Sequence, residues 1–190
     1  MTTSLRLWER LFEQEQYRTR IFSVWKGRFR SPHDARERDY DLVRAPHWIN
    51  VIPLTREGKV VLIRQYRPGT HEICIEVPGG MVDPGEEPIE AARRELIEET
   101  GYRAERIEPL GVVAPNPAFQ NNLTYSFLAQ NAYPAESQHP DEDEHIETFE
   151  VPLTDIPGMI RQGEIRHALV VCAFVHLALH GGLDLAPSRA

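Results

Sequence analysis

A helix with clear start and stop signals is the strongest constraint on how this chain of 190 residues can fold. Pro88 suits the first turn of a helix, and Gly101 suits its C-terminal cap. Because successive residues of an α-helix advance by about 100°, three apolar residues between them share one buried stripe: Ile89, Ala92 and Leu96. The pattern predicts a helix over Pro88–Thr100 that packs one face into a core.

Segments rich in β-forming residues lie on both sides of this helix. We predict strands at residues 17–29, 40–44, 48–54, 59–66, 72–77, 106–113, 123–129 and 146–151. Helices are predicted at residues 153–161 and 165–180, and residues 4–16 are predicted to form a short helix with Leu7 and Leu11 on one side. Strands wrapped by a few helices predict an α/β or α+β sandwich.

The size and charge of the chain limit its function. A domain usually holds about 100–200 residues, and we divide this chain into an N-terminal helix and strand region, residues 1–45, and a main domain, residues 46–190. The formal net charge is −8, from 29 acidic residues against 21 Lys and Arg. Because proteins that bind nucleic acid hold phosphates with a basic face, nucleic acid is not an expected partner.

Cysteine usage and the apolar stretches predict a cytoplasmic protein. Cys74 and Cys172 lie in apolar surroundings without the spacing of metal ligands, so we predict reduced thiols in the core. The N-terminus carries charged residues within its apolar run, unlike a signal peptide. The longest apolar stretch, residues 168–175, is far shorter than the roughly 20 residues that span a bilayer. We therefore expect no membrane partner.

Acidic residues concentrate in two windows, with seven between positions 83 and 99 and six between 141 and 150. On the predicted helix three of them share one arc beside the buried stripe: Glu95, Glu98 and Glu99. Carboxylates held this close repel one another unless a cation lies among them. A hard divalent ion with oxygen ligands, Mg²⁺ first, suits that place, whereas zinc would favour a Cys or His cluster. For the second window taken alone, a solvated acidic face is the simpler interpretation.

One pattern in this region resembles the signature of the Nudix hydrolases: Gly80, five residues, Glu86, seven residues, then Arg94-Glu95-Leu96-Ile97-Glu98-Glu99-Thr100-Gly101-Tyr102. It departs only at Tyr102, where the family usually has an aliphatic residue, and a salt-bridged surface helix is the alternative. The resemblance implies an α/β/α sandwich with a mixed β-sheet and an N-terminal antiparallel strand region. It also implies hydrolysis of a nucleoside diphosphate linked to another group, dependent on Mg²⁺ with Mn²⁺ as a substitute.

The same resemblance implies roles for individual residues. The metal ligands are the backbone carbonyl of Gly79 and the carboxylates of Glu95, Glu98, Glu99 and Glu144. Four residues of the signature are structural: Gly80, Glu86, Arg94 and Gly101, with Arg94 also spaced to pair with Glu98. The catalytic base stays open between Glu142, Glu95 and another loop acid such as Glu147. Residues two apart in an extended segment face the same side, so Glu142 and Glu144 can both point inward.

Weaker signals resemble the branch of ADP-ribose and nucleoside-diphosphate-sugar pyrophosphatases. They are Pro117, which follows Gly101 by sixteen residues, the stretches 61–68 and 76–80, and the run Glu142-Asp143-Glu144. Residues 116–122 resemble bacterial sugar-nucleotide hydrolases and depart from the ADP-ribose enzymes, which leaves the sugar open.

The branch also implies residues that bind substrate: Arg67, Trp48, Glu76 and Pro117. Arg67 is either a phosphate clamp or a surface residue at a strand end. Trp48 either stacks on a purine or packs in the core, and Trp25 and Phe29 share that ambiguity. Three histidines are predicted to be structural: His167, His176 and His180.

Two other functions compete with this one. A nucleoside-triphosphate or dinucleoside-polyphosphate hydrolase of the family would lack the strand region at residues 17–45. A non-catalytic module that binds ADP-ribose would usually lose acids of the signature, which this chain keeps. The expected partners are therefore a nucleoside-diphosphate-linked small molecule and a second copy of the chain. In this branch the N-terminal strands of each copy help to form the other's nucleotide pocket.

Overall fold

A computed structural model describes residues 4–140 and 145–185, and these divide into two compact units. The first unit contains the described residues of Met1–Pro46 together with Ala114–Leu123. The second contains His47–Val113 and the described residues of Thr124–Ala190. Our division of the chain at residue 45 stays a prediction about domains. No local sequence pattern predicts that the loop Ala114–Leu123 belongs to the first unit.

The first unit is built on a three-stranded antiparallel sheet in the order β1-β2-β3. The strands are β1 (Glu9–Arg18), β2 (Ser23–Arg30) and β3 (Glu37–Arg44). Ion pairs connect neighbouring strands, such as Arg28 with Asp39 at 2.6 Å and Arg30 with Glu9 at 3.0 Å. The loop Ala114–Leu123 joins this unit where the Val43 amide donates to the Phe119 carbonyl at 2.8 Å.

The helix predicted at residues 4–16 is wrong, because Glu9–Arg18 forms a strand. Exposure along its middle alternates with a period of two: Leu11, Glu13 and Glu15 are half-buried, whereas Phe12 and Gln14 are exposed. That period belongs to a strand and not to a helix. The pairing of β1 with β2 supplies backbone hydrogen bonds that the local helical pattern could not reveal.

The second unit contains a six-stranded mixed sheet with helices on both faces. Its strands are β4 (Trp48–Thr55), β5 (Lys59–Arg67), β6 (Glu72–Glu76), β7 (Tyr102–Val113), β8 (Thr124–Pro134) and β9 (Glu147–Pro152). The order is β6-β5-β4-β8-β7, and β9 also pairs with β5. Only the β4–β8 pair is parallel among these described strands. The mixed sheet that the resemblance implied is therefore confirmed.

Three α-helices cover this sheet: α1 (Pro88–Thr100), α2 (Ile156–Gln162), which follows a 3₁₀ turn at Leu153–Asp155, and α3 (Ala168–Leu179). Alternate residues of the central strands face opposite helices. Val51 and Phe127 pack with Leu96 of α1. The next residue of each strand, Ile52 and Leu128, faces the other side and packs in a cluster with Phe174 and Leu177 of α3. This arrangement confirms the predicted α/β/α sandwich.

The predicted bounds of α1 agree with the structure because both of its ends are set locally. Gly101 ends the helix with φ at +71°, and its amide donates to the Ile97 carbonyl at 2.7 Å. A Cβ at this position would lie 2.2 Å from the Glu136 carbonyl oxygen, so only glycine fits.

Two further expectations concern thiols and membranes. Cys74 and Cys172 are both free, but they are half-buried rather than in the core. In the described part of the chain, no helix has the length and apolarity that crossing a membrane requires.

Candidate active site

Arg94 joins three acids of the signature at the side of α1. Its Nε and Nη2 donate to the two carboxylate oxygens of Glu86, each at 3.0 Å. Its Nη1 donates to Glu95 at 2.8 Å and to Glu98 at 3.0 Å, which includes the pair expected from the spacing. The hydrogen bond from Arg94 lowers the pKa of Glu86, and its acidic partners, Glu86 first, raise the pKa of Arg94. One guanidinium thus binds three carboxylates at the side of α1.

Glu86 also shapes the loop before α1. Its Oε2 accepts a hydrogen bond from the Asp83 amide at 3.0 Å, while Arg94 Nη2 donates to the Met81 carbonyl at 3.0 Å. The loop is therefore fixed to the helix by one ion pair and two contacts to backbone. The structural role that the resemblance implied for Glu86 and Arg94 stays a prediction.

Glu99 lies on the inner side of α1 and is only 2% exposed. Its Oε2 accepts a hydrogen bond from the Gly79 amide at 2.8 Å. The loop that carries Gly79 is itself fixed to β4, where the Ile49 amide donates to the Gly80 carbonyl and the Val51 amide to the Pro78 carbonyl, each at 2.9 Å. Two of the predicted metal-binding residues, Glu99 and Gly79, therefore lie in direct contact.

Two glycines let this loop approach α1 and β4. A Cβ on Gly80 would lie between 2.2 and 2.8 Å from the carboxylate atoms of Glu95. A Cβ on Gly79 would lie 2.3 Å from the Ile49 carbonyl oxygen. A larger residue would push away the strand at position 79 or the carboxylate at position 80, which explains why both positions are glycine.

The structure brings together four of the predicted metal-binding residues. Arg94 joins Glu95 to Glu98. The glycine loop contacts Glu99 through the Gly79 amide and lies against Glu95 at Gly80. Glu142 and Glu144, the predicted base and the predicted further ligand, lie outside the described residues. Within residues 4–140 and 145–185, no three His, Cys, Asp or Glu side chains form a ready metal site. Arg94 binds Glu95 and Glu98, while Glu99 accepts from a backbone amide. The donor set itself, carboxylates and a carbonyl, has the oxygen chemistry that Mg²⁺ prefers.

Arg67 and Glu76 form a second ionic cluster at the ends of β5 and β6. Arg67 donates through Nε and Nη2 to the two oxygens of Glu76, each at 2.8 Å. The Glu76 side chain is 3% exposed, whereas that of Arg67 is 40% exposed. Burial alone would raise the pKa of Glu76, but the hydrogen bonds from Arg67 and the nearby His167 lower it to about 2. Arg67 is thus an anchored side chain with access to solvent.

His167 is the member of this cluster that sequence reasoning did not connect to the site. Its Nδ1 is buried and lies 3.2 Å from Glu76 Oε2. The two residues are far apart in the chain, and no local pattern joins them.

The aromatic candidates are engaged within their own units. Trp48 is half-buried at the start of β4 and pairs across a β-bridge with Met81. In the first unit, the Arg44 guanidinium lies 4.1 Å from the centre of the Trp25 ring, and Phe29 meets Tyr40 edge-on at 5.6 Å. Pro117 is exposed in the loop of the first unit. The substrate-binding roles of these residues stay predictions.

Comparisons with known proteins agree with this geometry. A family model described as the NUDIX domain matches residues 43–174. An ADP-ribose pyrophosphatase of Bacillus subtilis is 33% identical over 145 residues, which cover 76% of this chain and 78% of that protein. A GDP-mannose pyrophosphatase of Cronobacter sakazakii is 37% identical over 143 residues, covering 70% and 74%. The crystal structure of an ADP compounds hydrolase superimposes with a TM-score of 0.83 at 26% identity, covering 96% of this chain and 100% of that one.

Proposed function

The chain belongs to the Nudix hydrolase family, and on that premise we propose that it cleaves the pyrophosphate of ADP-ribose or a related nucleoside-diphosphate sugar. The products are a nucleoside monophosphate and a sugar phosphate. The observation that carries the proposal is the set of signature acids on α1, fixed by Arg94 and by the Gly79 amide. The names of the relatives, an ADP-ribose and a GDP-mannose pyrophosphatase, support the substrate class and leave the base open.

A divalent cation belongs to this proposal, Mg²⁺ first with Mn²⁺ as a substitute. Glu95, Glu98, Glu99 and the Gly79 carbonyl would hold it, with Glu144 as a further ligand. Bound there, the metal supplies charge neutralisation at the pyrophosphate and activation of water. It also explains how a chain of net charge −8 accepts an anionic substrate.

The residues of the chain divide the remaining work. Arg94 keeps Glu95 and Glu98 in place, and Glu99 is held by the backbone of the glycine loop. Arg67 binds phosphate oxygens with its exposed guanidinium. The proton of the attacking water passes to a carboxylate, for which Glu142 is our first choice and Glu95 the second. Glu147 is the weaker choice because Arg64 pairs with it at 2.9 Å.

The proposal includes a homodimer and a cytoplasmic location. In the dimer the first unit of each copy helps to form the nucleotide pocket of the other. The exposed apolar side chains of that unit, such as Phe12, Tyr17 and Phe22, support an interface. Two free cysteines agree with a reducing compartment.

A panel of substrates tests this function. The purified chain is incubated with Mg²⁺ and ADP-ribose, ADP-glucose, GDP-mannose, UDP-glucose, dinucleoside polyphosphates or nucleoside triphosphates, and kcat/KM is ranked. We expect a sugar nucleotide to rank first and to yield a nucleoside monophosphate. A preference for triphosphates or dinucleoside polyphosphates would contradict the substrate class. Binding of ADP-ribose without turnover would contradict the enzyme itself.

A further inference from the structure

Three elements of the second unit meet at the carboxylate of Glu76. Glu76 ends β6, Arg67 ends β5 on the neighbouring strand, and His167 directly precedes α3. The carboxylate lies 2.8 Å from Nε and Nη2 of Arg67 and 3.2 Å from Nδ1 of His167. Three residues beyond Glu76 in the chain, Gly79 contacts Glu99. The cluster is thus continuous with the loop of the candidate active site.

A carboxylate as buried as Glu76 needs its partners from the protein, because water cannot supply them. The Arg67 fork uses one lone pair on each oxygen, and Oε2 keeps a second one on the side of His167. The Nδ1 of His167 lies 3.2 Å from Oε2 without the alignment of a hydrogen bond, and within the described residues it has no hydrogen-bond partner. His167 therefore completes the polar surroundings of Glu76.

The side chain of His167 does not cap the helix that it precedes. His167 is the N-cap residue of α3, but its side chain makes no capping hydrogen bond. Its backbone carbonyl accepts the first hydrogen bond of the helix, from the Val171 amide at 3.0 Å. N-cap positions favour short side chains that bond to the helix. An imidazole turned towards Glu76 instead points to a role in the ionic cluster.

We propose that His167 is a positioning residue that fixes the guanidinium of Arg67 through Glu76 and so sets the affinity for the phosphate groups of the substrate. This inference rests on the proposed function, in which Arg67 binds those phosphates. Two hydrogen bonds to Glu76 define the plane of the guanidinium, and they leave its Nη1 edge outside the pair. A carboxylate held from both sides keeps this plane in one orientation before substrate arrives, which lowers the entropy lost on binding.

A double-mutant cycle tests the proposal with four proteins: wild type, His167→Ala, Arg67→Ala and the double variant. KM and kcat are measured on the best substrate of the panel, and the Kd of its non-hydrolysable methylene analogue is measured by calorimetry. We expect His167→Ala to raise KM and Kd by about 3- to 10-fold with kcat within twofold. In the Arg67→Ala background the same substitution should add nothing, because no guanidinium remains to be positioned.

Two further variants separate positioning from a general structural effect. His167→Asn keeps an N–H near the place of Nδ1 and should restore most of the affinity. His180→Ala, at the other end of α3, removes the contact of that imidazole with the Leu110 carbonyl. Because His180 lies outside the cluster, we expect wild-type KM and Kd.

Each outcome has a distinct meaning. Additive effects of His167→Ala and Arg67→Ala, or an unchanged KM in His167→Ala, would overturn the positioning role while the proposed function stands. Failure of His167→Asn to restore affinity would overturn the claim that a polar group beside Glu76 Oε2 carries that role. A wild-type protein that hydrolyses nothing on the panel would overturn the proposed function, and this inference with it.

Discussion

Glu76 is a buried residue whose charge state is strongly set by its surroundings. Burial opposes ionisation, yet Arg67 and His167 lower its pKa from the ordinary 4.5 to about 2. Because the folded-state pKa lies below the unfolded one, the carboxylate stabilises the fold fully above about pH 4.5. That contribution fades as the pH falls towards 2, and a shift of this size corresponds to about 3 kcal/mol.

We therefore expect Glu76→Gln to reduce the acid sensitivity of the fold. At pH 7 the variant should unfold at lower temperature, because the buried end of Arg67 loses its counter-charge. Between pH 4.5 and 2 its unfolding midpoint should fall less steeply than that of the wild type. Glu72→Gln is the matched control, since Glu72 begins the same strand and pairs with Arg166 at the surface. Parallel pH curves for wild type and Glu76→Gln would refute this explanation.

Contacts between residues far apart in the chain explain what the sequence could not predict at this scale. The Arg94–Glu98 pair follows from helical spacing, and it forms. The contact of His167 with Glu76 depends on α3 and β6 meeting in space, so no spacing rule contains it. The same holds for the amide of Gly79 on Glu99, which requires the loop to fold back onto α1.

Among the elements, the loop between β6 and α1 makes different demands on its two adjacent glycines, Gly79 and Gly80. In Gly79→Ala the new Cβ meets a backbone oxygen of β4 at 2.3 Å, which cannot move without disturbing the sheet. In Gly80→Ala it meets only the end of the Glu95 side chain, which can rotate away.

We expect these two substitutions to separate stability from activity. Gly79→Ala should lower the unfolding free energy by about 1–3 kcal/mol or more. Gly80→Ala should keep the fold but displace Glu95, so that more Mg²⁺ is needed for half-maximal rate. Gly69→Ala is the control, because no atom lies within 4 Å of its new Cβ. Unchanged Mg²⁺ activation in Gly80→Ala would contradict the placement of Glu95 in the metal site.

Secondary structure was predictable where its signals are local. Helix α1 carries its own proline, glycine and apolar stripe, and its bounds are confirmed. Strand β1 was missed because residues 4–16 also fit a helical pattern, and the hydrogen bonds that decide the outcome come from β2. For α3, the start moved from the predicted residue 165 to Ala168.

At the scale of the whole molecule, the first unit exposes more apolar surface than its small sheet needs. Phe12, Tyr17, Ile21 and Phe22 are each more than a third exposed. Exposed patches of this kind mark interaction surfaces, and the resemblance implies a second copy as the partner.

We expect a dimer at micromolar concentration in sedimentation or light scattering. Tyr17→Glu combined with Phe22→Glu should shift the protein towards monomer, because burying two new carboxylates in an interface is costly. Activity should fall together with dimerisation if each copy completes the other's pocket. A wild-type monomer with full turnover would exclude this assembly.

The central claim is that the acids of α1 hold the divalent cation that cleaves a sugar nucleotide. Glu98→Gln tests it most directly, because Glu98 is half-buried at the surface of the helix and its replacement leaves the core intact. Glu90→Gln, an exposed acid of the same helix, is the matched control. With ADP-ribose and Mg²⁺, we predict that wild type and Glu90→Gln release AMP at rates within twofold of each other. In Glu98→Gln the rate should fall by about 10²-fold or more. In excess chelator we predict no release of AMP. Full turnover by Glu98→Gln, or by the wild type in chelator, would contradict the claim.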